Sequence, residues 1–144
     1  MREVNMKRSP IRRQSKSPVS VIKRRIQKLL TQICRKRDGR CIFEGKTDWN
    51  CGGKYTAADH IISRRYSVTY ADPRNTVLIC PAHHLLWKPA NPTLYADIVK
   101  ERIGKELYDE LHRLRKESTQ HPKTYTRTQW LEHEEELKRR LKEV

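Results

Sequence analysis

Three cysteines and one histidine in the middle of the chain constrain its fold more than any other feature. Cys80 and His83 form a C-x-x-H pair, and Cys41 and Cys51 lie upstream with nine residues between them. Structural zinc sites use four tetrahedral Cys or His ligands, usually two close pairs that the fold brings together. The sequence therefore predicts a structural zinc site formed by Cys41, Cys51, Cys80 and His83.

The spacing of these residues leaves alternatives open. The usual separation within a ligand pair is two to four residues, and Glu44 occupies the place where a C-x-x-C pair would have its second cysteine. Glu44 is therefore an alternative ligand. Cys34 follows Ile33 in an apolar pattern, so we expect a buried core thiol. In the alternative without a metal, all these cysteines are ordinary small apolar residues.

The composition favours a fold that needs a metal or disulfides for its stability. Of 144 residues only 35% are hydrophobic, with a single Phe, and small domains with thin cores often depend on a metal or on disulfides. The N-terminus lacks the apolar run of a signal peptide, and no segment approaches the roughly 18 apolar residues of a membrane helix. We therefore expect a cytoplasmic protein with reduced cysteines and no membrane partner.

The positive charge is concentrated at one end of the chain. The net charge is +15, and residues 1–40 hold 14 of the 32 Lys and Arg residues but only 2 of the 17 acidic residues. A basic segment of this kind is typical of nucleic-acid binding. The alternative is a basic tail that serves only solubility.

Apolar periodicity, turn residues and charge divide the chain into segments. We predict a disordered basic arm (1–18), a basic amphipathic helix (19–37), a central domain with a helical tail (38–116), and a linker with a charged C-terminal helix (117–144). Ser20 is the expected N-cap of the basic helix. The last helix either packs on the domain or projects as a partner surface.

Within the central domain the order is strand, loop, strand, helix. The strand-like runs are Tyr55 to Ile62 and Thr76 to Cys80, and a helix is expected from Pro81 to about Pro89. Further helices are expected after Asn91 and from Lys105 to about Lys116, with a linker over 118–128. The fold class is α+β.

Asp59, His60, Asn75 and His84 have the chemistry that phosphodiester hydrolysis requires. His60 can act as a general base because a histidine is neutral near pH 7. Asp59 and His84 offer an oxygen and a nitrogen to one divalent ion. The amide of Asn75 can hold the loop between the strands and orient His60.

Arginines on the basic helix and in the loop between the strands can contact phosphate. They are two arginines on the basic helix and three in the loop between the strands: Arg24, Arg25, Arg64, Arg65 and Arg74.

The run Asp59-His60-Ile61-Ile62 followed by Asn75-Thr-Val-Leu-Ile-Cys80-Pro-Ala-His83-His84 resembles the signature of the HNH, or ββα-metal, endonucleases. The family usually ends its motif C-x-x-C-H, and here His83 stands in place of the second cysteine. The resemblance implies a zinc-stabilised ββα-metal core with flanking helices. It implies His60 as general base, Asp59 and His84 as ligands of one Mg²⁺ or Mn²⁺ ion, Asn75 as the loop-orienting residue, and DNA cleavage.

A second stretch is similar to the tail of phage recombination nucleases of the NinG/Rap type. It begins at His84-Leu-Leu-Trp87-Lys-Pro-Ala-Asn91-Pro92 and continues with Tyr95 and with Glu101-Arg102-Ile103-Gly104-Lys105-Glu106-Leu-Tyr108-Asp109-Glu110-Leu111. Together with the first motif, the resemblance covers roughly residues 38–114. This resemblance implies branched DNA as a substrate, a role in phage recombination, and the cytoplasm of a bacterial host.

Two other functions fit the same residues. One is a zinc-stabilised module that binds nucleic acid without catalysis, for which the zinc ligands alone would suffice. The other is a nuclease directed at RNA. The sequence leaves the oligomeric state and the cleavage specificity open.

Overall fold

The computed structural model describes residues 17–144, so the predicted basic arm lies almost wholly outside the described residues. Within 17–144 the fold is α+β, with six α-helices and one two-stranded antiparallel sheet. The elements are α1 (Val19–Asp38), β1 (Ala57–His60), α2 (Ser67–Tyr70), a 3-10 turn (Pro73–Asn75), β2 (Thr76–Ile79), a π-helical turn (His83–Trp87), α3 (Lys88–Ala90), α4 (Pro92–Ile103), α5 (Lys105–Gln120) and α6 (Arg127–Glu143).

Helix α1 follows from the apolar spacing, which places Ile22, Ile26 and Leu30 on one buried face. It ends at Asp38 and is capped by Gly39, whose φ of 80° is a conformation that glycine adopts without strain. The predicted N-cap Ser20 is wrong. The N-cap is Pro18, because its extended backbone precedes the first turn and its carbonyl accepts hydrogen bonds from the amides of residues 21 and 22.

The sheet is the centre of the fold. β1 and β2 pair so that Asp59 lies opposite Val77 and His60 opposite Thr76. Both strands are shorter than the predicted runs. All four residues of β2 are buried, because Leu78 faces one hydrophobic cluster while Val77 and Ile79 face another.

The first hydrophobic cluster joins the two ends of the described chain. Residues Ile22, Ile26 and Leu30 of α1 pack with Trp130 and Leu137 of α6. The structure thus answers the question that the sequence left open, since α6 packs on the domain. Its first turn has a reciprocal capping box formed by the residues at 126 and 129.

The second hydrophobic cluster lies on the opposite side of β2. It contains Phe43, Trp87, Tyr95 and Val99, together with two of the predicted zinc ligands. The ring of Phe43 lies 5.2–5.9 Å from the rings of His83, Trp87 and Tyr95. Three of the four predicted metal ligands are therefore buried at this hydrophobic cluster, whereas Cys51 is exposed.

Several predicted boundaries differ from the structure. The helical run that begins at Pro81 ends at Ala90, one residue beyond the predicted end, and it contains a π-helical turn that was not predicted. Helix α5 extends to Gln120 and α6 begins at Arg127, so the linker is shorter than predicted. Within residues 17–144, no helix combines the length and the apolar character needed to cross a membrane.

Candidate metal centre and polar cleft

Cys41, Cys51, Cys80 and His83 form a cluster in which the potential ligand atoms all lie within 4.8 Å of one another. The Nδ1 atom of His83 lies 3.2 Å from the sulfur of Cys80, 3.7 Å from that of Cys51 and 3.8 Å from that of Cys41. Tetrahedral ligands about 2.3 Å from a zinc ion would be separated by roughly 3.8 Å. The cluster could therefore hold a structural metal such as zinc.

The two alternative ligands lie elsewhere. The sulfur of Cys34 is buried against the hydroxyl of Thr76 at 3.0 Å, as expected of a core thiol. The carboxylate of Glu44 accepts a hydrogen bond from Arg40 at 2.9 Å. The fold thus brings together the predicted ligands Cys41, Cys51, Cys80 and His83, despite the wide spacing of the first two.

A close contact between two loops explains how Cys51 reaches Cys80. The carbonyl of Gly52 accepts a hydrogen bond from the amide of Ala82 at 3.0 Å. Gly53 has a φ of +96°, and a Cβ atom there would lie 2.4 Å from Cγ of Pro81. Only glycine fits at this position, so the Gly52-Gly53 pair allows the loop to approach the turn after β2.

Thr47 fixes the orientation of His83, a role that the sequence did not suggest. Its hydroxyl lies 2.7 Å from Nε2 of His83 and donates to the carbonyl of Trp49 at 3.1 Å. Because the hydroxyl proton is used there, the oxygen accepts from Nε2–H. The Nδ1 atom of His83 then carries the lone pair that a metal ligand needs.

The cysteine thiols have perturbed pKa values. Burial by itself raises the pKa of Cys80, but hydrogen bonds from the amides of His83 and Gly52 outweigh burial and lower this pKa to about 6. Burial, and then the charge of Cys41, raises the pKa of Cys51 to about 12. Several thiolates this close together repel one another, and a bound cation would offset the repulsion.

A polar cleft of about 380 Å³ lies beside β1, on a different side of the π-helical turn from the cysteine cluster. Its lining includes Asp59, His60, Arg64, His84 and Lys88. Three of the four residues predicted for catalysis therefore line one cavity. The fourth, Asn75, is fully buried behind it.

His60 is held with one ring nitrogen available. Its Nε2 lies 2.8 Å from the carbonyl of Tyr70, and because a carbonyl only accepts, Nε2 carries the proton. The Nδ1 atom is then an unprotonated acceptor. Burial, as the largest influence, lowers the pKa of His60 below its ordinary value, so the ring is neutral at pH 7.

Asp59 is buried and has polar contacts on several sides. Its Oδ1 atom lies 3.5 Å from Nε2 of His84, which is the contact that a shared ion would require. The ammonium of Lys88 lies 3.0 Å from Oδ1 and 2.8 Å from Oδ2, and the hydroxyl of Tyr95 donates to Oδ2 at 2.5 Å. Neither Lys88 nor Tyr95 was a predicted site residue.

Asn75 fastens the loop that connects the two strands. Its Oδ1 accepts from the amide of Ile62 at 2.7 Å, and its Nδ2 donates to the carbonyls of Ile62 and Thr69, both at 3.1 Å. The same loop supplies the Tyr70 carbonyl that binds His60. The side chain thus lies where it can act on His60 through the loop.

The π-helical turn directs neighbouring side chains to different sites. The amide of Lys88 bonds the carbonyl of His83, five residues earlier, and such turns are frequent at functional sites. His83 is fully buried in the cysteine cluster, whereas the side chain of His84 is half exposed and faces Asp59. One turn therefore serves both the metal cluster and the cleft.

The predicted phosphate-binding arginines separate into two groups. Arg64 lines the cleft, and Arg24 and Arg65 are exposed. Arg25 instead forms a two-pronged ion pair with Glu134 at 2.7 and 3.0 Å, and Arg74 is paired with Asp72 at 2.7 Å. The guanidinium groups of Arg25 and Arg74 are thus engaged within the fold.

No protein-family model, curated protein or solved structure matches this chain. Its function is therefore inferred from the residues of the chain itself.

Proposed function

We propose that the protein is a metal-dependent endonuclease of the HNH type that hydrolyses DNA phosphodiester bonds. The observation that carries this proposal is the convergence of Asp59, His60 and His84 on one cleft, beside a cluster able to hold a structural metal. A module that only binds nucleic acid would need the cluster but not this arrangement. In this proposal the metal of the cluster is zinc.

The residues of the cleft divide the chemistry between them. The Nδ1 atom of His60 accepts a proton from the attacking water, and the Tyr70 carbonyl holds the ring in position for this step. Oδ1 of Asp59 and Nε2 of His84 are a hard oxygen and a nitrogen that suit one Mg²⁺ or Mn²⁺ ion. When bound, this ion supplies positive charge that stabilises the phosphate in the transition state.

The charge of the protein suits a nucleic-acid substrate. Arg64 borders the cleft, and Arg24 and Arg65 are exposed cations able to contact phosphate. A net charge of +15 supports binding that depends little on base sequence and strongly on salt. Branched DNA, in phage recombination or DNA processing, is the proposed substrate on the basis of the sequence resemblance.

The second candidate is a non-catalytic nucleic-acid-binding module. The Lys88 ion pair favours it, because this pair already satisfies the charge of Asp59 without an added ion. The two candidates differ in whether the bound nucleic acid is cut.

A substrate panel tests the proposed function. Supercoiled plasmid, a four-way junction, linear duplex and single-stranded RNA are incubated with the zinc-loaded protein in Mg²⁺, Mn²⁺ or EDTA. We expect cutting of DNA that EDTA abolishes, with the junction cut faster than linear duplex. Binding without cutting in either metal would contradict the proposal and support the second candidate, and cutting of RNA alone would assign a different substrate.

A further inference from the structure

Asp59 is in contact with two side chains, Lys88 and Tyr95, that have no role in the proposed function. Its Oδ2 atom accepts hydrogen bonds from the hydroxyl of Tyr95 and from the ammonium of Lys88. Its Oδ1 atom accepts a second hydrogen bond from Lys88 and faces His84. The carboxylate is only 6% exposed. Its geometry is therefore set by these neighbours rather than by solvent.

Lys88 and a divalent ion compete for the same oxygen. An Mg²⁺ ion lies about 2.1 Å from a ligand oxygen. Because Nζ of Lys88 is 3.0 Å from Oδ1, an ion on Oδ1 would be no more than about 5 Å from the ammonium, whatever its direction. The side chain of Lys88 is 29% exposed and lies 4.4 Å above the Tyr95 ring, so solvent only partly screens this repulsion.

Tyr95 has the opposite effect on the same carboxylate. Its hydroxyl holds Oδ2 and so leaves Oδ1 directed at His84. The hydroxyl is the donor in this contact, because an ionised carboxylate oxygen only accepts hydrogen bonds. A fixed carboxylate loses less freedom when it binds an ion.

We propose that Lys88 and Tyr95 control the divalent-ion affinity of Asp59 in opposite directions. Lys88 is an internal counter-ion that weakens ion binding, and Tyr95 is a positioning residue that strengthens it. This inference rests on the proposed function, because it takes Asp59 and His84 as the ligands of the ion.

The test is a titration of the zinc-loaded protein with Mn²⁺, in which the EPR signal of free Mn²⁺ measures binding without any substrate. Mn²⁺ prefers oxygen ligands to thiolates, so zinc keeps its cluster. Lys88→Met should bind Mn²⁺ roughly tenfold more tightly than wild type. Tyr95→Phe, which removes only the hydroxyl, should bind it about tenfold more weakly.

Lys100→Met is the matched control. Lys100 is exposed and lies 5.5 Å above the ring of Tyr108, so its replacement removes the same charge from above another tyrosine ring and leaves the contacts of Asp59 intact. It should leave the Mn²⁺ affinity unchanged. A thermal melt of each variant shows whether the fold is retained.

Asp59→Asn separates this inference from the function on which it rests. If Asp59→Asn abolishes Mn²⁺ binding but Lys88→Met binds no more tightly than wild type, the inference is overturned and the proposed ion site stands. If wild type and Asp59→Asn bind Mn²⁺ equally, both the proposed ion site and the inference are overturned.

Discussion

At the scale of single residues, each candidate site consists of potential ligands and of the side chains that hold those ligands in place: Thr47 contacts His83, and Lys88 and Tyr95 contact Asp59. Cys80 and His83 are recognisable because their spacing within one turn is itself the signal. Thr47, Lys88 and Tyr95 have no such spacing, since each reaches its partner only after separate segments fold together. Sequence reasoning could have flagged Tyr95 only as a buried aromatic residue.

Thr47 provides a prediction about the metal cluster. Thr47→Val keeps the shape of the side chain but removes the oxygen that accepts from Nε2 of His83. We expect zinc affinity to fall about tenfold, because the histidine then loses the partner that fixes its tautomer. Competition with a chromogenic chelator measures the affinity. Thr47→Ser should retain it, and tight zinc binding by the valine variant would contradict this role.

Asp38 provides a prediction about pH. Burial by itself raises the pKa of Asp38, but the hydrogen bonds and charge of Arg37, with the Leu78 amide and Arg102, outweigh burial and lower it. A lowered pKa stabilises the fold above the unfolded pKa of about 3.9, and this contribution is lost as pH falls through the folded value.

Asp38→Asn should therefore destabilise the protein by about 1–3 kcal/mol at pH 7, and the difference from wild type should shrink below about pH 4. Urea unfolding between pH 7 and pH 3.5 measures it. The exposed Asp97→Asn serves as a control for the change in net charge. A difference that stays constant over this range would count against the ion pair.

At the scale of elements, periodicity predicted the existence of the helices better than their ends. Periodicity also left open where the C-terminal helix lies, because its charged sequence was compatible with packing on the domain or with projection into solvent. The position of Trp130 shows that the helix packs on the domain. Trp130 is 3% exposed, and its ring lies 5.4 Å from that of Tyr70, edge to face. The β-strands were predicted too long, since residue types that favour strands continue into segments that leave the sheet.

This packing predicts that Trp130→Ala destabilises the fold by about 3–5 kcal/mol, because it opens a cavity between α1, α6 and the loop before β2. Trp49→Ala is the matched control, since Trp49 is 43% exposed and should change the free energy of unfolding by no more than about 0.5 kcal/mol. Urea unfolding of both variants measures the effects. Equal small effects would show that α6 is not part of the core.

At the scale of the whole molecule, the fold places two hydrophobic clusters on opposite sides of a minimal sheet. The first cluster ties α1 to α6, and the second surrounds the cysteine cluster. The cleft lies at β1 and borders both clusters, because its lining includes Ala58 of the first cluster and Ile61, which packs against the second. The sequence predicted the class of the fold, but not that the two ends of the described chain share a core, since that contact spans most of the chain's length.

The central claim is that the cleft at Asp59, His60 and His84 hydrolyses DNA. The most direct measurement is single-turnover cleavage of supercoiled plasmid in Mg²⁺ by wild type, His60→Ala and His121→Ala, with DNA affinity measured on the same samples. His121 lies exposed after α5 and is the control. We expect His60→Ala to bind DNA as wild type does but to cut it at least about 100-fold more slowly. His121→Ala should bind and cut DNA as wild type does. Cleavage by His60→Ala at the wild-type rate would contradict the account.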